Sequence, residues 1–133
     1  MTNAPEGDLP SASRQIKGAK AYQTGLEAEK AVMAILRETG YTLLAHRYRT
    51  PFGEIDLVIS DENWLIAIEV KQRRTLYESA FALGRRQAQR LLASFDYVIN
   101  THPDWIRTNT RIDLALVDQI GGIEFIEDAL RLC

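Results

Sequence analysis

The chain has 133 residues, of which 46% are hydrophobic and 26% charged, and its formal net charge is −2. A domain of this length can fold without a disulfide or a metal, and its composition excludes collagen-like, coiled-coil and fully disordered chains. No apolar run reaches the length of a membrane-spanning helix, and the first residues lack the pattern of a secretory signal. With Cys133 as the single cysteine, we expect a cytoplasmic protein without membrane contact.

Basic residues are concentrated in one segment of this acidic chain. Between Lys71 and Arg90 there are six lysines and arginines against one glutamate, so the segment carries +5 and the remainder −7. Such a segment is either a solvated helix face or a local site for anions. The residues beside it decide between these two interpretations.

The first part of the chain predicts a tail, a helix and a strand. Residues 1–18 combine proline, glycine and serine with little periodicity, which predicts a flexible N-terminal tail before a single domain over residues 19–133. Small and apolar residues then recur at three- and four-residue steps, so we predict a helix from Ala19 to Thr39 that ends at Gly40. The segment from Tyr41 to Arg49 is predicted as a strand.

Two further strands form a predicted hairpin. They run from Glu54 to Ser60 and from Trp64 to Gln72, after a turn at Thr50–Gly53. A short turn at Asp61–Asn63 joins them. A hairpin this short has its register set by the length of the turn.

The last part of the chain predicts a helix and two strands. The helix runs from Arg85 to Asn100 and is followed by a loop that contains Pro103. The strands run from Arg111 to Asp118 and from Ile123 to Glu127, with glycines between them. The order α-β-β-β-α-β-β predicts an α/β domain with a mixed central sheet flanked by helices.

Charged residues share one face of the hairpin. In each strand the alternate positions are apolar, and Glu54, Asp56, Glu69 and Lys71 lie on the other face. An even-numbered turn sets Asp56 opposite Glu69 and Glu54 opposite Lys71. Directly opposed side chains have Cβ atoms about 5 Å apart. The register alone therefore brings two carboxylates together, with a lysine two residues beyond.

Two carboxylates this close either share a proton or hold a cation, and oxygen ligands suit Mg²⁺ or Mn²⁺. The alternative is a solvated face with a Glu54–Lys71 ion pair and no further role. Because the flanking residues are strongly apolar, both strands are predicted to be central, and buried charges there are costly. This favours a metal site.

Glu29 is a third acidic candidate. It lies at the margin of the apolar stripe of the first helix, where Gly25 would allow a close approach to the sheet. It is either an ordinary boundary glutamate or a residue that faces the Asp56–Glu69 pair. In the second case, Lys71 would orient the attacking water or help to deprotonate it.

These residues resemble a known nuclease motif. Asp56 followed by Glu69-Val70-Lys71 resembles the PD-(D/E)xK motif, and the element order resembles the restriction-endonuclease-like fold with its αβββαβ core. The chain is more closely similar to the YraN family of uncharacterised bacterial proteins, which are often described as endonucleases. The matching pieces are Gly25–Glu29, Gly40–Tyr41, Arg49, Gly53–Val58, Ile68–Arg73 and Arg111–Asp113.

The resemblance implies a Mg²⁺- or Mn²⁺-dependent endonuclease that hydrolyses phosphodiester bonds in nucleic acid, with DNA favoured over RNA. Asp56, Glu69 and the Val70 backbone carbonyl would bind the metal, Glu29 would support them, and Lys71 would be catalytic. We expect the phosphate contacts to come from basic residues around this site, namely Arg49, Arg73, Arg74, Arg85, Arg86 and Arg90.

The chain departs from the family pattern at two places. Gln87 stands where the family commonly has a lysine, and His46-Arg47 stands where it usually has Arg-Asn. The first departure leaves phosphate contacts from the second helix open. The alternative function is a non-catalytic nucleic-acid-binding or scaffold module of a DNA-processing complex. Partnership with a second copy of the chain, as a homodimer, or with a DNA-processing protein is also left open.

Overall fold

A computed structural model describes the backbone of residues 13–72 and 84–130, and the side chains of residues 25–72 and 84–130. Within these ranges two helices and five strands follow one another in the predicted order. They are α1 (Ser13–Glu38), β1 (Thr42–Thr50), β2 (Gly53–Ser60), β3 (Trp64–Gln72), α2 (Arg85–Thr101), β4 (Asn109–Val117) and β5 (Ile123–Leu130).

The five strands form one mixed sheet in sequential order from β1 to β5. β1, β2 and β3 pair antiparallel, β4 is parallel to β3, and β5 is antiparallel to β4. A parallel pair needs a long crossover connection, and α2 lies in that connection. The predicted α/β class and mixed sheet are confirmed.

Two boundaries differ from the prediction by three residues or more. α1 begins at Ser13, before the predicted start at Ala19. β5 continues to Leu130 beyond the predicted end at Glu127, because Asp128 takes a left-handed conformation (φ 55°) and its N–H donates to Asp113 Oδ1 at 2.9 Å. The ladder between β4 and β5 shifts register at this point. β5 therefore has two residues more than β4 across this irregularity, and the strand continues beyond it.

α1 ends where the sequence predicts. Gly40 has φ 98°, which favours glycine, and its N–H donates to the Arg37 carbonyl at 3.1 Å. The Tyr41 N–H donates to the Leu36 carbonyl at 3.0 Å, which completes a Schellman motif. No helix in residues 13–72 or 84–130 is long and apolar enough to cross a membrane.

Both faces of the central strands are buried, which differs from the prediction of one apolar face. Leu57 and Ile59 pack under α1, whereas Ile55 and Val58 pack under α2. Alternate residues of a regular strand face the same side of the sheet, but Ile55 faces α2 and Leu57 faces α1. The alternation is therefore broken at Asp56. Strands that are covered on both faces are apolar on both faces. The charged face that the alternation predicted is therefore confined to one end of the hairpin. The charged end of the hairpin consequently borders two apolar cores.

Candidate active site

The site lies where the ladder between β2 and β3 ends. Residues 57–60 pair with residues 65–68 in the predicted register. The Asp56 side chain lies just beyond the last pair, and its Oδ2 accepts a hydrogen bond from the Val70 N–H at 2.8 Å. The predicted proximity of Asp56 and the Glu69–Lys71 segment on adjacent antiparallel strands is confirmed.

The carboxyl groups of half-buried Asp56 and buried Glu69 form an interacting pair. Burial, together with the charge of Glu69, raises the pKa of Asp56 from 3.8 to about 7. Burial also raises the pKa of Glu69, whose residue is 8% exposed, although the Lys71 ammonium opposes that shift. Two carboxylates held this close in an apolar setting repel one another and favour a bound proton or cation.

Two donors contact the same oxygen of Glu69. The Lys71 ammonium lies 3.3 Å from Oε2, and the Gln87 side-chain amide donates to Oε2 at 2.8 Å. The alternative Glu54–Lys71 pair is wrong, because Glu54 lies opposite Arg49 in the ladder with β1 and pairs with it at 3.6 Å. Lys71 is therefore directed at the carboxylate pair.

Gln87, which stands where the family commonly has a lysine, brings α2 into contact with Glu69. It lies in the first turn of α2, one helical turn before the buried Leu91. Residues four apart share a helix face. The spacing of four residues between Gln87 and the apolar Leu91 is therefore the feature of the sequence that predicts a buried side for Gln87. α2 therefore borders the carboxylates even without the family's lysine.

Glu29 is buried near the pair, as the second interpretation of the sequence proposed. Its negative charge raises the pKa of both Asp56 and Glu69. Its own carboxylate is held by two residues of β1 that the sequence did not indicate. Arg47 donates from Nε at 2.9 Å and from Nη2 at 3.2 Å, and His46 Nε2 lies 2.6 Å from Oε1.

Arg47 explains how two adjacent strand residues reach one carboxylate. Side chains of neighbouring strand residues normally point to opposite faces. Arg47 has φ 54°, a left-handed conformation that costs a non-glycine residue about 1–3 kcal/mol and that asparagine tolerates better. The asparagine that the family usually has here was the available signal. A Cβ on Gly25 would make only ordinary contact with Arg47 at 3.9 Å, so the predicted need for glycine is not confirmed.

We expect Glu29→Ala to destabilise the fold by about 1–3 kcal/mol, since it leaves the left-handed Arg47 without its two-point partner. Urea denaturation measures this loss. The matched control is Glu27→Ala on the exposed side of the same helix, which should stay within about 0.5 kcal/mol of wild type. Equal losses in both variants would contradict a structural role for Glu29.

The arginines expected to bind phosphate lie on two elements. Arg85, Arg86 and Arg90 are exposed on α2, and the Arg49 side chain is 90% exposed on β1. Arg90 packs beside Gly53 in the turn between β1 and β2, because a Cβ built on Gly53 would lie 3.7 Å from the Arg90 Cβ. The remaining two, Arg73 and Arg74, lie outside the described residues.

The other polar candidates have structural partners. His102 Nε2 lies 2.7 Å from the Tyr48 hydroxyl, and its ring stacks on Trp105 with a centroid distance of 3.8 Å. Asp113 is buried and accepts a hydrogen bond from Arg111 Nε at 2.9 Å. These contacts stabilise the sheet and the end of α2.

We call Asp56, Glu69, Val70 and Lys71, where the ladder between β2 and β3 ends, the fork. The oxygen ligands of the fork fit a hard divalent cation. Asp56 and Glu69 supply carboxylate oxygens, and the Val70 N–H and C=O project to the same side of β3, toward Asp56. Carboxylate and carbonyl oxygens are ligands that Mg²⁺ and Mn²⁺ accept together with water. In residues 25–72 and 84–130, no three His, Cys, Asp or Glu side chains form a metal-binding cluster. A cation here would therefore depend on the backbone carbonyl and water.

The raised pKa of Asp56 gives the metal-free protein a characteristic pH dependence. The unfolded chain releases this proton near pH 3.8, whereas the folded protein holds it until about pH 7. Since the unfolded state binds fewer protons in this window, stability should fall as the pH rises from about 4 to about 7, by up to about 4 kcal/mol.

Denaturation of the chelator-treated protein at pH 4.5 and pH 7.5 measures this difference. We expect Asp56→Asn to remove most of the slope, whereas Asp96→Asn, an exposed change on α2, should keep it. A slope that is the same in all three proteins would show that Asp56 ionises normally.

Comparison with known proteins identifies the family. The profile of the uncharacterised protein family UPF0102 matches residues 28–117, which include Glu29, Asp56, Glu69 and Lys71. A UPF0102 protein of Granulibacter bethesdensis is 42% identical over 117 residues, which cover 88% of this chain and 74% of the relative. One from Azorhizobium caulinodans is 36% identical over 132 residues, which cover 99% and 98% of the two chains.

A further UPF0102 protein, from Roseobacter denitrificans, is 32% identical over 130 residues, which cover 98% of each chain. The YraN-like resemblance is confirmed at this level, and the match to the Azorhizobium caulinodans protein extends over both α-helices and all five strands of the fold. The chain therefore belongs to the uncharacterised protein family UPF0102.

Proposed function

We propose that this chain is a metal-dependent nuclease of the PD-(D/E)xK superfamily, with a restriction-endonuclease-like fold, that hydrolyses phosphodiester bonds in nucleic acid. One observation carries the proposal: half-buried Asp56 and buried Glu69 form an interacting carboxyl pair, and the Lys71 ammonium lies 3.3 Å from Glu69. Without a bound cation, two carboxylates this close and partly removed from water lower the stability of the folded protein. DNA is favoured as the substrate through the family resemblance.

Each residue of the fork has a distinct task in this reaction. A Mg²⁺ or Mn²⁺ ion held by Asp56, Glu69 and the Val70 carbonyl would polarise the scissile phosphate and activate a water. As an ammonium, Lys71 would orient that water, and it opposes the rise in the pKa of Glu69 that burial causes. Only as a neutral amine could it instead accept the proton of that water. Gln87 fixes Glu69 from the side of α2. The negative charge of Glu29 disfavours two ionised carboxylates with no cation between them, and so it favours the binding of a cation.

The arginines support nucleic acid as the substrate. The whole chain is acidic, so attraction of a polyanion must come from local charge. Arg85, Arg86 and Arg90 all lie within three residues of Gln87 on α2, so they add positive charge to the turns of the helix that contact Glu69. Phosphate contacts of this kind position a strand without reading its bases.

The test is a titration of Mg²⁺ and Mn²⁺ against single-stranded, duplex, flapped and branched substrates of DNA and RNA. We expect metal-dependent cleavage of at least one substrate. Binding without cleavage under every condition would favour a nucleic-acid-binding module. If the protein neither binds nor cuts, a scaffold in a DNA-processing complex becomes the better interpretation.

A further inference from the structure

An aromatic ring is displayed at the tip of the turn between β1 and β2. Phe52 is 52% exposed, unusual among the large apolar residues whose side chains are described. The turn that carries it is rigid, because Thr50 Oγ1 accepts hydrogen bonds from the Phe52 N–H at 3.0 Å and the Gly53 N–H at 3.1 Å. The same hydroxyl lies 3.1 Å from Ser94 Oγ, which is fully buried on α2. Phe52 is therefore held in place by its backbone.

The ring is also oriented, and its surroundings are basic. It contacts Tyr97 of α2 edge-on, with ring centroids 6.3 Å apart and an interplanar angle of 65°. Arg90 packs against the same turn at Gly53. Arg49, on the strand that enters the turn, is exposed and pairs loosely with Glu54. A rigid, half-exposed ring beside arginines has the composition of a stacking platform for a nucleotide base.

The distance from the Phe52 ring to the carboxylates follows from the rise per residue along β2 and, independently, along α2. Phe52 precedes Asp56 by four residues along an extended strand, which spans about 13 Å. Tyr97, which touches Phe52, follows Gln87, which touches Glu69, by ten residues of helix, which span about 15 Å. Both values correspond to about four nucleotides of a stacked strand and to fewer of an extended one. One bound strand can therefore reach both places, with Arg90 between them.

We propose that Phe52 stacks on an unpaired base of the substrate strand, so that the preferred substrates carry an unpaired nucleotide within a few residues of the scissile bond. This inference rests on the proposed nuclease function and names its substrate class. A continuous duplex keeps its bases inside the helix, out of reach of the ring, and offers the protein only its phosphates. Single strands, flaps and frayed ends offer a free base face as well.

The test compares affinities for a flapped or single-stranded oligonucleotide and a continuous duplex of the same length, measured by fluorescence anisotropy without metal. We expect Phe52→Leu to weaken binding of the unpaired substrates about 5- to 150-fold and to leave duplex binding unchanged. Because stacking releases no counterions, the salt slope of binding should not change. Arg90→Ala should instead lower that slope by about one unit on every substrate.

Two variants separate recognition from folding. Phe52→Tyr keeps a ring at the turn and should keep the preference for unpaired substrates. Ile106→Ala removes an apolar residue of the same 52% exposure, near the start of β4 at the end of the sheet opposite Lys71, and should change nothing. An equal loss on all substrates, or no loss, in a folded Phe52→Leu protein would overturn the inference alone. Absence of any binding by wild type would overturn the proposed function, and this inference with it.

Discussion

The Lys71→Ala variant is expected to lose phosphodiester cleavage by about 10²–10⁴-fold while keeping most of its affinity for nucleic acid. Among the residues that the structure describes, Lys71 is the cation that contacts Glu69, whereas the proposed phosphate contacts are shared by several exposed arginines. Losing one cation lowers the salt slope of binding by no more than about one unit. Single-turnover cleavage and anisotropy on the same substrate measure both quantities.

Lys71 has a second effect that this experiment must separate. Its charge lowers the pKa of Glu69, so the variant should also bind metal more weakly near neutral pH. Assays at saturating Mn²⁺ and at raised pH favour the ionised carboxylate and leave the loss of chemistry. The matched control, Arg85→Ala with Arg86→Ala, should weaken binding and spare the chemical step at saturating substrate. Full activity of Lys71→Ala under these conditions would remove Lys71 from the mechanism.

The second large effect concerns the response to metal. Mn²⁺ or Mg²⁺ should stabilise the wild-type protein by about 2.7 kcal/mol at one hundred times its Kd, because it binds only the folded state. Asp56→Asn should abolish this response, and without metal it should be more stable than wild type near pH 7, since it removes a buried charge beside Glu69. The asparagine amide oxygen can still accept the Val70 N–H, which preserves the local fold.

Differential scanning calorimetry with and without metal measures this response. Glu54→Gln is the matched control, because Glu54 lies on the same strand, is 40% exposed and pairs with Arg49. It should respond to metal as wild type does. Equal responses in wild type and Asp56→Asn would exclude this fork as the metal site.

Local pairing rules were sufficient to predict the carboxylate pair. The turn at Asp61–Asn63 has few alternatives, so its length set the register of β2 and β3 and thereby placed Asp56 next to Glu69. The order of elements and the parallel step from β3 to β4 followed from the helix between them. These features depend on residues close together in the sequence.

The partners of the carboxylates depended on features that patterns do not encode. The left-handed φ of Arg47 turns its side chain to the same side as that of His46, and a period-two pattern assigns them to opposite faces. The burial of both faces of β2 had a signal in the sequence, the continuous apolar run Leu57-Val58-Ile59, where a strand with one solvated face would carry a polar residue at its centre. The contact of Gln87 with Glu69 depends on how α2 docks, which is a long-range event.

The hydrogen bond from the Val70 amide makes the fork directly observable by nuclear magnetic resonance. An amide proton donated to a carboxylate at 2.8 Å is deshielded, and it becomes less so when the acceptor gains a proton. Its resonance should therefore follow the ionisation of Asp56 in the metal-free protein, with a midpoint near pH 7. The side-chain amide of Gln87 is placed in the same way on Glu69. A single ¹⁵N-labelled sample thus reads the two carboxylates separately, one through a strand amide and the other through a helix side chain.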